Sequence, residues 1–109
     1  MSERIVVASD ADITIRSLGD VPDVISECFG AEGLIITERD LAPEFFDLRT
    51  GLAGEVFQKF TNYGLRLAVI LPDPKLYGER FSELTYEHRT HNLIRFVRSE
   101  EEARAWLQA

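Results

Sequence analysis

The length, composition and charge of this chain exclude several kinds of protein. It has 109 residues, of which 45% are hydrophobic and 28% are charged, and its formal net charge at pH 7 is −7. These values predict a single globular domain over residues 1–109. The acidic balance argues against nucleic acid as a partner, because a protein that follows a phosphate backbone needs clustered lysines and arginines.

The first third of the chain predicts two strands, a helix and a third strand. Residues 4–8 are rich in β-branched side chains, and residues 13–15 form a second short strand, so the two are expected to pair as a hairpin. A helix then starts at Asp20, and Cys28 lies on its buried stripe as an unreactive thiol. Gly33–Thr37 is apolar throughout, which indicates a central strand covered on both faces.

The middle of the chain, residues 43–63, combines a polar turn with the most regular helix of the sequence. From Leu52 onward the apolar residues recur with the helical period, and Gly64 ends the helix. Glu55 and Lys59 lie four residues apart on the polar side, in the order that favours an ion pair. That side should therefore face solvent, while the apolar side packs on a sheet.

The last third of the chain predicts two further strands and two further helices. Strands are expected at residues 65–71 and 93–97, with a helix at residues 77–90 between them. Ser99 and Glu102 form a capping box at the start of the closing helix. The complete order is β-β-α-β-α-β-α-β-α, which predicts an α/β fold with a mostly parallel sheet and the first strand as an antiparallel edge.

The turn at residues 47–51, with the sequence DLRTG, carries the most chemically suggestive side chains of the chain. Asp47 or Thr50 can cap the helix that follows, and Arg49 supplies a cation. Open backbone N–H groups at a helix start favour an anion or a binding partner. If the protein has a functional site, we expect it here.

Two glycines, Gly51 and Gly54, lie in the first turns of the same helix. Each costs roughly 1 kcal/mol relative to alanine in a helix interior. We interpret them as sites of close packing on a strand. The alternative is that they give a ligand or partner access to the helix N-terminus.

A long motif in the chain resembles a known family. The stretch FFDLRTGLAGEVFQKFTNYGLRLAVI, from Phe45 to Ile70, is similar to the signature of the bacterial domain of unknown function 4180. The ending FVRSEEEARAWL is similar to the C-terminus of that family, so the resemblance spans most of the chain. It implies a bacterial protein but brings no established activity.

The turn also resembles a motif of the STAS domain, named after sulfate transporters and anti-sigma factor antagonists. The segment Phe46-Asp47…Thr50-Gly51-Leu52 is similar to the Phe-x-Asp-Ser-Ser-Gly-Leu turn of that domain. The resemblance implies a single STAS-like sandwich with a five-stranded sheet flanked by helices. In antagonists with this domain, phosphorylation of a serine in the turn breaks a protein complex. Thr50 matches that hydroxyl and is the candidate phosphorylation site, with a plain helix cap as the alternative.

The sequence leads to two hypotheses about function. In the first, the chain is a non-enzymatic regulatory module that binds a protein partner through the turn and the polar side of the following helix. In the second, it binds a small anion or acts catalytically at the same helix N-terminus, with Arg49 as the counter-charge. A third possibility is self-association as a homodimer through an edge strand or a helix face. The predicted binding residues are Asp47, Arg49, Thr50, Gly51, Glu55 and Lys59.

Other chemistry finds little support in the sequence. His88-x-x-His91 supplies two imidazoles and Glu87 is adjacent, but a metal site needs further ligands, so we predict no metal and no cofactor. There is no nucleophile motif and no phosphate-binding glycine loop, and the sequence does not support an enzyme.

A single cysteine excludes an intramolecular disulfide. No stretch approaches the ~20 apolar residues of a membrane span, so we expect a cytoplasmic protein that does not bind membranes.

Overall fold

Four parallel strands form a sheet in the middle of the molecule. The computed structural model describes residues 4–109, so the predicted domain over residues 1–109 is seen without residues 1–3, which lie outside the described part. The strands are β1 (Ile5–Val7), β2 (Gly33–Thr37), β3 (Leu67–Ile70) and β4 (Ile94–Val97). Each strand pairs in parallel with the next one along the chain, in the order β1-β2-β3-β4.

Five helices and four short 3₁₀ turns connect the strands within residues 4–109. The helices are α1 (Val21–Cys28), α2 (Pro43–Phe46), α3 (Leu52–Asn62), α4 (Glu79–Glu87) and α5 (Glu100–Leu107). The 3₁₀ turns are Leu18–Asp20, Glu38–Asp40, Leu48–Thr50 and Pro74–Tyr77. In this part of the chain none of the helices has both the length and the apolar character that crossing a bilayer requires.

The sheet buries its two faces in different ways. Because each strand is parallel and adjacent to the one before it, right-handed connections place α1, α3 and α4 on one side. The core on that side joins alternate strand residues such as Leu34 and Val69 to Phe60 of α3 and Phe81 of α4. The smaller core on the opposite side consists of Ile35, Ala68, Val97, Ala103 and Leu107.

The closing helix α5 approaches β2 closely at Gly33. A Cβ atom on Gly33 would lie 2.5 Å from Cδ2 of Leu107 and 2.9 Å from the backbone oxygen of Arg66, so only glycine fits without a shift of neighbouring atoms. The guanidinium of Arg66 donates hydrogen bonds to the carbonyl oxygens of Trp106 and Leu107, at 3.3 and 3.4 Å. These contacts fix the last turn of α5 against the sheet.

The predicted hairpin and the fifth strand are wrong. β1 pairs in parallel with β2, and residues 13–15 do not enter the sheet. Ile15 instead makes one isolated parallel bridge with Leu41, in which its N–H donates to Asp40 at 2.9 Å and its carbonyl accepts from Ala42 at 3.0 Å. The physical reason is that Ile13 and Ile15 are buried in the larger core although they lie in a loop. The same alternation of buried and exposed residues had indicated a strand.

The remaining elements follow the predicted order with small shifts. α1 forms as predicted, although the Asp20 carboxylate accepts from the N–H of Arg16 and does not cap the helix. Cys28 is fully buried, and burial raises the pKa of its thiol to about 11, as expected for an unreactive core cysteine. The helix expected from Tyr77 begins two residues later, and Ser99 caps α5 through the N–H of Glu102.

We predict that Gly33→Ala destabilises the protein by about 1–3 kcal/mol, the usual cost of overpacking a core. The new methyl group would collide with Leu107 and with the Arg66 carbonyl. Urea unfolding followed by circular dichroism measures the difference. Gly54→Ala is the matched control, because a Cβ at Gly54 meets no atom within 4 Å. Equal stability of Gly33→Ala and wild type would contradict the close approach of α5.

Candidate functional site

An open cleft of about 650 Å³ lies beside the predicted turn. Residues 46–49 form one wall and residues 77–81 form the other. Both walls belong to connections that leave the carboxyl ends of neighbouring strands, β2 and β3. The structure therefore brings the predicted turn to the carboxyl edge of the sheet.

Asp47 and Arg49 form a closed ion pair on the rim of this cleft. The Nε and Nη2 atoms of Arg49 donate to the two carboxylate oxygens of Asp47, each at 3.1 Å, and the backbone N–H of Arg49 adds a third hydrogen bond at 3.1 Å. These donors lower the pKa of Asp47 below its ordinary value. The Arg49 guanidinium, which the second hypothesis assigns as the counter-charge for an anion, is thus already paired with Asp47.

Thr50 lies just before α3, whose N-cap residue is Gly51. Its hydroxyl lies 2.7 Å from the carbonyl oxygen of Glu44 and 2.8 Å from that of Asp47, and it accepts from the N–H of Leu52 at 3.2 Å. Gly51 follows with φ +77°, a left-handed conformation that favours glycine. The turn is therefore closed by its own hydrogen bonds, although Thr50 is not the N-cap residue of the helix.

The six predicted binding residues do not all meet in the cleft. Asp47 and Arg49 line it, whereas the other four do not. Glu55 and Lys59 form the predicted ion pair on the outer side of α3, with Nζ and Oε2 3.7 Å apart. The polar side of α3 is thus a separate, solvent-facing surface.

Three aromatic residues that were not predicted as binding residues, Phe46, Tyr77 and Phe81, also line the cleft. The rings of Phe46 and Tyr77 stack with centroids 3.9 Å apart and planes 13° apart, and Phe81 packs edge-on against Phe46. The Tyr77 hydroxyl donates to Glu38, and burial together with this carboxylate raises the pKa of Tyr77 to about 12. The sequence offered one indication of this wall of the cleft, the pair Tyr77-Gly78 shortly after the segment Pro72-Asp73-Pro74 that follows β3.

Arg80 adds an uncommitted cation to the wall formed by residues 77–81. Within residues 4–109 its guanidinium makes no ion pair or hydrogen bond, whereas Arg49 across the cleft is paired. Gly78 precedes α4 with no side chain to cap it, and Glu79 contributes a negative charge beside Arg80. The cleft thus combines an aromatic inner surface with charges of both signs at its rim.

The two histidines have local structural roles. Their rings lie 5.2 Å apart, but Nδ1 of His88 bonds to the carbonyl of Leu84, and Nδ1 of His91 accepts from the N–H groups of Leu93 and Ile94, both at 3.1 Å. In the described part of the chain no three His, Cys, Asp or Glu residues are grouped so that they could hold a metal ion. His91 therefore caps the start of β4 in its neutral form.

The expectation that Gly51 and Gly54 pack closely on a strand is wrong, because a Cβ at either position meets no atom within 4 Å.

We therefore predict opposite effects of alanine at the two sites. Gly54→Ala should stabilise the protein by about 0.5–1 kcal/mol through helix propensity. Gly51→Ala should destabilise it by about 1–2 kcal/mol, because alanine is strained in the left-handed conformation. Thermal unfolding of both variants tests this, and equal signs would contradict it.

His91 predicts a loss of stability in mild acid. Burial, then His88 and Arg95, lower the pKa of His91 from its ordinary 6.5. As pH falls through that value, the unfolded chain takes up a proton that the folded chain resists, so the free energy of unfolding decreases. His91→Asn should flatten this decrease, because the asparagine oxygen can accept the same N–H bonds without titrating. Urea unfolding between pH 7.5 and about 5 measures the two slopes. Parallel slopes would contradict the assignment.

The comparisons with known proteins place the chain in a family. The family model described as Domain of unknown function (DUF4180) matches residues 1–107. No curated protein and no solved structure matches the chain. The matched residues include both stretches on which the sequence resemblance rests, the one from Phe45 to Ile70 and the ending FVRSEEEARAWL. The chain therefore belongs to the DUF4180 family.

Proposed function

We propose that this protein is a cytoplasmic, STAS-like regulatory module that binds a segment of another protein in the cleft between residues 46–49 and residues 77–81. The observation that carries the proposal is the stacked pair of Phe46 and Tyr77 in an open cleft whose wall holds Arg80, which has no ion-pair partner among residues 4–109. The similarity of the turn to the STAS turn supports the same role. Fold and motif analogy is the weaker of the two supports, because one fold serves many functions.

The walls of the cleft match the chemistry of a peptide segment. Aromatic rings offer a large contact area at little entropic cost, so an apolar side chain of the partner can pack on Phe46 and Tyr77. Leu48 on the rim is 37% exposed, and Leu76, just before the second wall, is 73% exposed. An acidic side chain next to the apolar one would pair with Arg80. The partner segment is therefore expected to carry an apolar residue beside an acidic one.

Thr50 provides the regulation in this proposal. A phosphate on its hydroxyl would remove the hydrogen bonds to Glu44 and Asp47 and add nearly two negative charges beside the Asp47 carboxylate. Both effects would open the turn that forms one wall of the cleft. Glu55 and Lys59, on the exposed side of α3, extend the proposed contact surface.

A second candidate function is the binding of a small anionic molecule in the same cleft. Arg80 favours it, because this residue lies in the first turn of α4 and its guanidinium has no partner within the described part of the chain. This candidate moves the anion from the start of α3, as first predicted, to the opposite wall. The proposed occupants differ in size, so one experiment separates them.

Affinity purification from a native bacterial lysate tests the proposal. We expect the wild type to retain a stoichiometric protein partner, and Phe46→Ala and Arg80→Glu to weaken its binding at least about tenfold, since truncating an interface anchor costs ~1–2 kcal/mol or more. Thr50→Glu should reduce binding, whereas Thr50→Ser should preserve it.

Arg98→Glu is the matched control, because Arg98 is an exposed arginine outside the cleft and makes the same charge change. A partner that all cleft variants retain would contradict the proposal. If no protein is retained but intact mass spectrometry under native conditions shows a small anion that Arg80→Glu loses, the second candidate replaces it.

A further inference from the structure

A second groove at the same edge of the sheet is built by the isolated bridge between Ile15 and Leu41. The two backbone hydrogen bonds of this bridge tie the loop after β1 to the loop after β2. Ile15 and Leu41 are buried, whereas Thr14, Arg16 and Arg39 in the same two loops are exposed. The bridge therefore brings backbone segments that are far apart in the sequence close together.

Two arginines from these loops line one groove of about 410 Å³. Arg16 comes from the first loop and Arg39 from the second, and the hydroxyl-bearing Thr14 lies in the same lining. Within residues 4–109 neither guanidinium makes an ion pair or a hydrogen bond. Although the chain has a net charge of −7, the described residues thus leave two cations without an ion-pair partner in one groove.

Asp40 lines the same groove and Asp20 lies near Arg16, but each carboxylate accepts hydrogen bonds from backbone or hydroxyl groups. Oδ2 of Asp40 accepts from the N–H and from the hydroxyl of Thr37, both at 2.9 Å. Oδ2 of Asp20 accepts from the backbone N–H of Arg16 at 2.8 Å, which holds that loop in place without neutralising the guanidinium. Both acids therefore support the loops that carry the arginines.

We propose that the groove of Arg16 and Arg39 binds an oxyanion, specifically a phosphate group. A guanidinium presents its N–H donors in a planar fork that matches the oxygens of phosphate, and two forks can share one tetrahedral anion. The Thr14 hydroxyl supplies a further donor within the same groove. A bound anion also relieves the repulsion between two like charges held in one groove. This site is independent of the proposed protein-binding cleft.

The test is a titration of the ¹⁵N-labelled protein, followed by amide chemical shifts. The probes are inorganic phosphate and glycerol phosphate, and sodium chloride at equal ionic strength is the reference. We expect saturable shifts at residues 14–16 and 39–42 with phosphate and none with chloride. Tighter binding of glycerol phosphate than of inorganic phosphate would assign the site to a phosphate ester, and the reverse would assign it to free phosphate.

Variants show whether the two arginines are responsible. Arg16→Gln and Arg39→Gln should each weaken phosphate binding about tenfold or more, and lysine at either position should restore only part of it, because lysine keeps the charge but lacks the fork. Arg98→Gln, which removes an exposed arginine elsewhere, should leave binding unchanged. Well-dispersed spectra confirm that each variant is folded. Shifts that do not saturate, that chloride reproduces, or that both glutamine variants retain would overturn the proposal.

Discussion

A parallel sheet in which every strand lies beside its predecessor cannot cover both faces with its connections. Right-handed crossovers place α1, α3 and α4 on one face, so the other face depends on α5, a helix of eight residues. So short a helix buries little area unless it lies close to the strands. The missing side chain of Gly33 permits that approach, and Arg66 ties the end of α5 to the sheet. The second core exists because of this contact.

The same topology concentrates the irregular backbone at the carboxyl edge. The connections after β1, β2 and β3 all begin there, and the Ile15–Leu41 bridge joins the first two of them. Both grooves described above, the aromatic cleft and the arginine groove, lie between such connections. The Asp47–Arg49 pair and the hydrogen bonds of the Thr50 hydroxyl close the turn that forms one wall of the cleft.

The spacing of apolar residues correctly predicted the helices and strands that bury one side. It failed where residues are buried outside helices and strands. α1, α3 and α5 and the apolar strand β2 formed as predicted, because their patterns leave one packing solution. Ile13 and Ile15 are also buried, but the chain turns away from the sheet after β1. Their alternating pattern therefore belongs to a loop and not to a strand. Gly54 shows the reverse case, in which a residue that suggested close packing faces open space. A pattern of apolar residues indicates which side chains are buried, but it does not indicate which segments cover them.

The sequence by itself determined the α/β class, the main helices, the family and the turn that forms one wall of the cleft, because these depend on residues near each other along the chain. The tertiary structure alone decided the number and direction of the strands, since pairing depends on distant segments. It also decided which charges remain uncommitted. Arg49 is paired by a residue two positions away, whereas Arg16, Arg39 and Arg80 lack a partner within residues 4–109. The net charge is a sum over the sequence, but which charges pair depends on distances between side chains that only folding sets.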